Sequence, residues 1–348
     1  MRRYLNKGCT VLCTLFLIAT ACLAGGCAVS PPRHQANYLE YFDTVTTVVY
    51  YTDDAAAVSA LCKEATAQLE AYHRLYDIYH TYSGVNNLAT VNRAGGEAVQ
   101  VDARILDLLE YGVEMHRLTG GHTNIAMGSV LSLWHDARTA ASGGETPVLP
   151  SAEALAAAAQ HTDIGSIVID RAAGTVQLTD AAVRLDVGAV AKGYAVEKTA
   201  QHLASLGYTD FTLNVGGNIR TVGNKGDGTP WVAGVQNPDL SAAEPYICRV
   251  AVSDTALVTS GSYQRFFELD GVRYHHIIDK DTLYPAEGFA AVAVLTPDSG
   301  KADALSTALF CMTLDEGRAL VASLPDVEAL WVAADGTVTR SDGFTPIS

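Results

Sequence analysis

The sequence predicts an α+β fold, mainly antiparallel sheet with packed helices. Two observations carry this. Runs rich in β-branched and aromatic residues outnumber the helical periods and do not alternate with them as β-α-β units would. There is also no internal repeat, no Gly-x-Gly-x-x-Gly turn and no Walker A sequence, which sets aside Rossmann and P-loop architectures. The 348 residues, 49% apolar and 18% charged, suit a globular chain with a large core. A net charge of −15 argues against nucleic acid as a partner. It also means that any polyanionic ligand needs a metal or a local cationic pocket.

The first residues read as a targeting segment. Arg2, Arg3 and Lys7 precede an apolar run over 11–24 that is too short to span a membrane comfortably. Ala24, Gly25 and Gly26 then lead to Cys27, which resembles the lipobox of a bacterial lipoprotein with Cys27 as the lipidated residue. Cys22 is a competing position, and an ordinary signal peptide is the alternative; either places the protein outside the cytoplasm. The expected division is a signal segment over 1–26, a polar tether over 27–37 and one folded domain over 38–348. Cys62, Cys248 and Cys311 would then remain as thiols, an odd number without the short spacing of a disulfide framework or a zinc site.

The folded part opens with a strand over 38–51, followed by a helix over 55–75 with Val58, Leu61, Ala65 and Leu69 on one side. The stretch 76–92 reads as irregular. A second helix over 105–119 closes at Gly120-Gly121, and 137–150 reads as an exposed insertion or linker before an Ala-rich helix over 151–160. Short strands follow over 166–169 and 175–178.

The most informative stretch is 183–198. Val183, Leu185 and Val187 alternate with Arg184 and Asp186 as in a strand; after Gly188, the residues Gly193, Val196, Ala200 and Leu203 recur as one helical face. Asp186 thus ends a strand, and Lys192 lies about one turn into a helix whose first N–H groups suit an anion. A helix-capping Asp and a solvated Lys are the plain alternative. Downstream, a strand over 211–215 runs into Gly216-Gly217, a turn that either lets backbone approach a ligand or is simply tight. Further strands are expected over 231–235, 250–252 and 289–295. A helix from 300 puts Leu305, Ala308, Leu309 and Met312 on its core face. Asp303 and Thr307, four apart, share another face, where a carboxylate beside a hydroxyl suits a hard cation such as Mg²⁺; a solvated pair is the alternative. The chain closes with a helix to 324 and a hairpin through Asp335-Gly336.

Four stretches, in order, resemble the FAD:protein FMN transferase family, the ApbE-like flavin transferases: Leu185-Asp-Val-Gly-Ala-Val-Ala-Lys-Gly-Tyr-Ala, Leu213-Asn-Val-Gly-Gly-Asn-Ile-Arg, His275-His-Ile-Ile-Asp and Ala302-Asp-Ala-Leu-Ser-Thr-Ala-Leu. The resemblance implies two interleaved T-fold-like halves around one active site. It implies Mg²⁺-dependent transfer of FMN from FAD to a Thr or Ser hydroxyl of an acceptor protein, with AMP released. By motif position Asp303, Thr307 and the backbone oxygen of Ala189 would hold the metal, while Asp186, Lys192 and Ile277 would contact FAD. His276 would assist the incoming hydroxyl, its imidazole having a near-neutral intrinsic pKa. Looser matches assign Phe42 and Tyr79 to the isoalloxazine and His122, Thr123 and Asn124 to a further FAD-binding segment. Asn124 stands where many members have Asp, and Lys280 where a Pro usually follows the last motif's Asp. A flavin-carrying lipoprotein and an FAD pyrophosphatase are the alternatives, separated by Mg²⁺-dependent AMP release with and without an acceptor. The expected location is the outer face of the cytoplasmic membrane, through the lipid anchor.

Overall fold

Residues 30–347 are described by the structure, a computed structural model. The expected signal segment and Cys27 lie outside them. The chain begins with β1 (Arg33–Tyr41), β2 (Thr44–Tyr51), α1 (Ala55–Tyr76), α2 (Leu88–Asn92), β3 (Val99–Gln100), α3 (Ala103–Leu118), α4 (Gly128–Ser142) and α5 (Ala152–Ala159). Next come β4 (Ile167–Asp170), β5 (Thr175–Leu178), α6 (Ala191–Ser205), β6 (Phe211–Val215), β7 (Asn218–Val222), β8 (Trp231–Gln236) and β9 (Tyr246–Val252). The last part holds β10 (Ala256–Gly261), β11 (Phe266–Leu269), β12 (Val272–His275), β13 (Phe289–Thr296), α7 (Ser299–Cys311), α8 (Leu314–Ser323), β14 (Glu328–Ala333), β15 (Val338–Arg340) and β16 (Pro346–Ile347).

Eight strands form one sheet in the order β1-β2-β6-β7-β10-β13-β14-β15, and every pairing in it is antiparallel. Helices cover one face and the small sheet β16-β9-β8 packs against the other. Strand alternation divides the residues between these layers. Val292 and Val294 of β13 face α7 and α8, whereas Ala291 and Ala293 join Trp231, Val235 and Phe344 on the far side. Both faces of β13 are therefore dry, as its unbroken apolar run predicts. At the other end of the sheet, Val48, Leu213 and Val215 pack beneath Leu61 and Leu69 of α1 and Val196 and Leu203 of α6.

Several expectations need correction. β1 begins at Arg33, inside the expected tether, and pairs there with β2. The single strand expected over 38–51 is a hairpin instead. Phe42 and Asp43 form its two-residue turn at φ 54° and 53°, the left-handed pair that a type I′ turn requires. The β6–β7 turn is built alike from Gly216 and Gly217 at φ 55° and 90°. Helix α4 runs to Ser142, through half of the expected linker, because Trp134 and Ala137 bury its inner face. The stretch 76–92 contains α2, opened by a capping box between Asn87 and Thr90.

The alternating stretch 183–187 makes only one bridge, Arg184 to Met127. Its backbone is satisfied by irregular partners. The Asn92 side chain pairs both ways with Leu185, donating to its carbonyl at 2.9 Å and accepting its N–H at 2.7 Å. Asp186 N–H reaches Ile125 O at 2.9 Å. A side-chain amide thus does the work of a neighbouring strand.

Candidate active site

The site is built where two helices start and meet. Helix α6 begins at Ala191, with no side-chain cap of its own, so Lys192 is its second residue rather than one turn in. The cap comes from α7. Asp303 Oδ2 accepts the Gly193 N–H at 2.7 Å, and Glu197 of α6 returns the arrangement by accepting the Ser299 N–H, at the start of α7, at 2.9 Å. Gly193 facing Asp303 and Glu197 facing Ser299 define an antiparallel register. Thr307 lies one turn beyond Asp303 on α7, and Ala189 lies in the turn that precedes α6. Only glycine fits at the crossing: a Cβ on residue 193 would lie 2.3 Å from Ser299 O and 2.4 Å from Asp303 Cβ.

Lys192 extends over this junction. Its Nζ lies 3.6 Å from Asp303 Oδ1 and donates to Asn218 Oδ1, at the start of β7. Burial pushes the ammonium's pKa down, and the Asp303 charge only partly offsets this. Asp303 is 5% exposed, whereas the sequence placed it on a face turned from the core. Asp186, in the turn before α6, holds the Gly188 N–H at 2.9 Å, and desolvation raises its carboxyl pKa against the pull of that bond and of His135, Arg138 and Arg265.

His276 enters from the segment after β12. The Arg265 carbonyl accepts both its backbone N–H, at 3.1 Å, and its Nδ1, at 3.2 Å. A carbonyl can only accept, so Nδ1 carries the proton and Nε2 presents the lone pair. Desolvation, then the Arg265 and Arg138 charges, push the imidazole down to about 3. The ring is therefore neutral well below the near-neutral range expected from the residue type. Its neighbour Ile277 is buried in the core, with its N–H on His275 Nδ1 and its carbonyl accepting from Ala286.

The looser matches divide. Tyr79 is 45% exposed and stacks on His135 at 4.6 Å, with its loop held by Asp77, which accepts from the Tyr79 N–H at 2.7 Å and the His80 N–H at 3.0 Å. Desolvation pushes the Tyr79 phenol up to about 12. Phe42 keeps its left-handed backbone beside the core; its N–H meets His73 Nδ1 at 3.2 Å, and the two rings pack edge to face. In the segment 122–124 two of the three side chains are engaged internally. Thr123 donates to Ala304 O at 2.8 Å, and Asn124 spans Thr162 O and the Ala126 N–H, each at 2.9 Å. His122 is half-buried, its Nδ1 lacking a partner among the described residues.

The sequence reading missed Asn218, Glu197, Arg220, His135, Arg138 and Arg265. Asn218 and Arg220 stood inside a quoted motif, and β-strand period would have placed both on one face. Glu197 follows Lys192 by five residues, but its burial needed α7. Arg138 sat in the supposed linker.

A family model described as the ApbE family matches residues 42–331. An FAD:protein FMN transferase of Treponema pallidum is 34% identical over 311 residues, 85% of this chain and 83% of that protein. The crystal structure of an ApbE protein from Thermotoga maritima superposes with a TM-score of 0.79 at 28% identity, covering 90% of this chain and 98% of its own. The flavin transferase ApbE from Vibrio cholerae gives 0.74 at 26% identity over 89% and 97% of the two chains. With the mixed helix and antiparallel-sheet architecture shared and the match spanning nearly the whole folded part, this chain belongs to the ApbE family.

Proposed function

We propose that this chain is an FAD:protein FMN transferase that attaches FMN to a Thr or Ser hydroxyl of an acceptor protein through a phosphoester, releasing AMP, with Mg²⁺ as its metal. The α6–α7 register carries this reading. It holds the Asp303 carboxylate beside the Lys192 ammonium at one helix junction, in a chain whose relatives bear that enzyme name, and this supports the reading. The donors fit the metal. Asp303, Thr307 and the Ala189 carbonyl are all oxygen ligands, and one carboxylate suits Mg²⁺, which keeps much of its shell for water and substrate phosphate. Among the described residues no group of three or more His, Cys, Asp or Glu forms a competing cage. Mg²⁺ held there supplies positive charge for the FAD diphosphate.

The chain's own residues supply the rest. Lys192, held by Asn218 and Asp303, adds a second cation, and a bound diphosphate favours its protonated form. Asp186 orients the FAD, and Tyr79 and Phe42 meet the isoalloxazine. His276 Nε2 takes the proton from the acceptor hydroxyl as that oxygen bonds the FMN phosphorus. The bond from this phosphorus to the bridging oxygen breaks, and AMP leaves with that oxygen and the electron pair. No protein nucleophile is needed, because phosphoryl transfer rests on positioning and charge stabilisation.

The test is incubation of the protein with FAD, Mg²⁺ and a candidate membrane redox subunit. The reading expects an FMN mass increment on the acceptor and one AMP per adduct. AMP without adduct would make the protein a pyrophosphatase, and bound FAD without either would make it a carrier. The reading extends to a lipid anchor at Cys27 on the extracytoplasmic face, supported by the N-terminal sequence pattern. Cys27→Ala should release the protein from membranes; a mature N-terminus elsewhere and without lipid would overturn that part.

A further inference from the structure

Glu197 lies outside every motif role assigned above, yet it is 4% exposed and fully engaged. One oxygen, Oε2, accepts from Arg220 Nε at 2.8 Å and from the Ser299 N–H at 2.9 Å; the other, Oε1, accepts from Gln201 at 3.0 Å. Arg220 and Asn218 are two residues apart on β7, so one strand face holds both Glu197 and Lys192. Helix α6 is thereby fixed to β7 at two points and to α7 at two more.

We propose that Glu197 is a positioning residue for the metal donors, acting by setting the α6–α7 register. A carboxylate that caps the start of α7 while paired to Arg220 fixes where Ser299 stops against α6. One turn on, the same register brings Asp303 to Gly193 and Lys192, and Thr307, a further turn along α7, is carried with it. Sliding either helix by a fraction of a turn breaks the Asp303 cap and separates the donors. The inference rests on the metal reading above.

Two variants act on the contact from opposite sides, one weakening the acceptor and one deleting the donor. Glu197→Gln removes the charge, and Ser299→Pro deletes the N–H at the first helical position, where proline is tolerated. Mn²⁺ is titrated into each full-length protein with FAD present, free metal is followed by electron paramagnetic resonance, and thermal unfolding is recorded in parallel. In folded protein, each variant should weaken Mn²⁺ by about tenfold or more, transfer should recover toward the wild-type rate at saturating metal, and adding Arg220→Gln to Glu197→Gln should change little further. Wild-type Mn²⁺ affinity in either folded variant overturns the proposal and leaves Glu197 an ordinary buried ion pair. If Glu197→Gln does not fold, Ser299→Pro decides. If the wild type itself binds no Mn²⁺, the metal reading fails, and with it the premise.

Discussion

Asp303 and His276 stand on two sides of the site and are held in different ways. Asp303 is fixed inside the core by the Gly193 N–H and lies close to Lys192, between helices that touch at a glycine. His276 hangs from one carbonyl, Arg265 O, in a segment after a two-stranded ribbon. The helix side fixes charge before any ligand arrives, where reorganisation would be costly. The ribbon side presents the neutral His276 imidazole, the group proposed above as the base for the acceptor hydroxyl.

Substitutions at the helix side should break this contrast most. Asp303→Ala should lower transfer by about a thousandfold or more at any Mg²⁺ concentration, since charge stabilisation by a metal supplies several kcal/mol. It should also destabilise the fold by about 1–3 kcal/mol, because the buried Gly193 N–H loses its acceptor. The sequence alone, placing Asp303 away from the core, predicted no such loss. Asp303→Asn, read by transfer rate and unfolding midpoint together, separates the two effects; full activity of Asp303→Ala in the presence of chelator would remove the metal site.

On the ribbon side, His276→Ala should lower transfer by about a hundredfold to ten-thousandfold with FAD affinity nearly unchanged. Equal rates for variant and wild type would leave His276 structural. Gly193→Ala tests the join between the halves: its Cβ meets backbone at 2.3 Å, so overpacking of about 1–3 kcal/mol should appear in the unfolding midpoint, with metal affinity reduced.

The smallest effect is the pH dependence. The folded His276 titrates at about 3 and the unfolded imidazole near 6.5. Between these values the unfolded chain binds a proton that the folded chain does not, so this group's contribution to stability is intact above about 6.5 and declines as the pH falls toward 3. Replacing His276 by Gln should flatten that part of the stability profile. Transfer by the wild type should show no rise between about pH 6 and 7 on account of His276, because the working form is already neutral there.

The sequence by itself determined the mixed architecture, the turn into α6 and the pairing of Asp303 with Thr307, because alternation, helical spacing and punctuating glycines are local signals. It also carried the four motifs in order, and so the family. Tertiary structure decided what those signals meant in space. No local rule says that the strand-like stretch 183–187 would take its partner from the Asn92 side chain, or that the run over 38–51 would fold back through Phe42 in a left-handed conformation. Nor does spacing tell whether Asp303 faces water or Gly193, since both choices keep its helix face. That depends on which helix lies opposite, and here it was fixed by a backbone contact only glycine allows and by two carboxylates each capping the other's helix. The shifted Lys192 follows from that packing, and the shifted His276 from burial beside Arg265 and Arg138; neither has a one-dimensional trace.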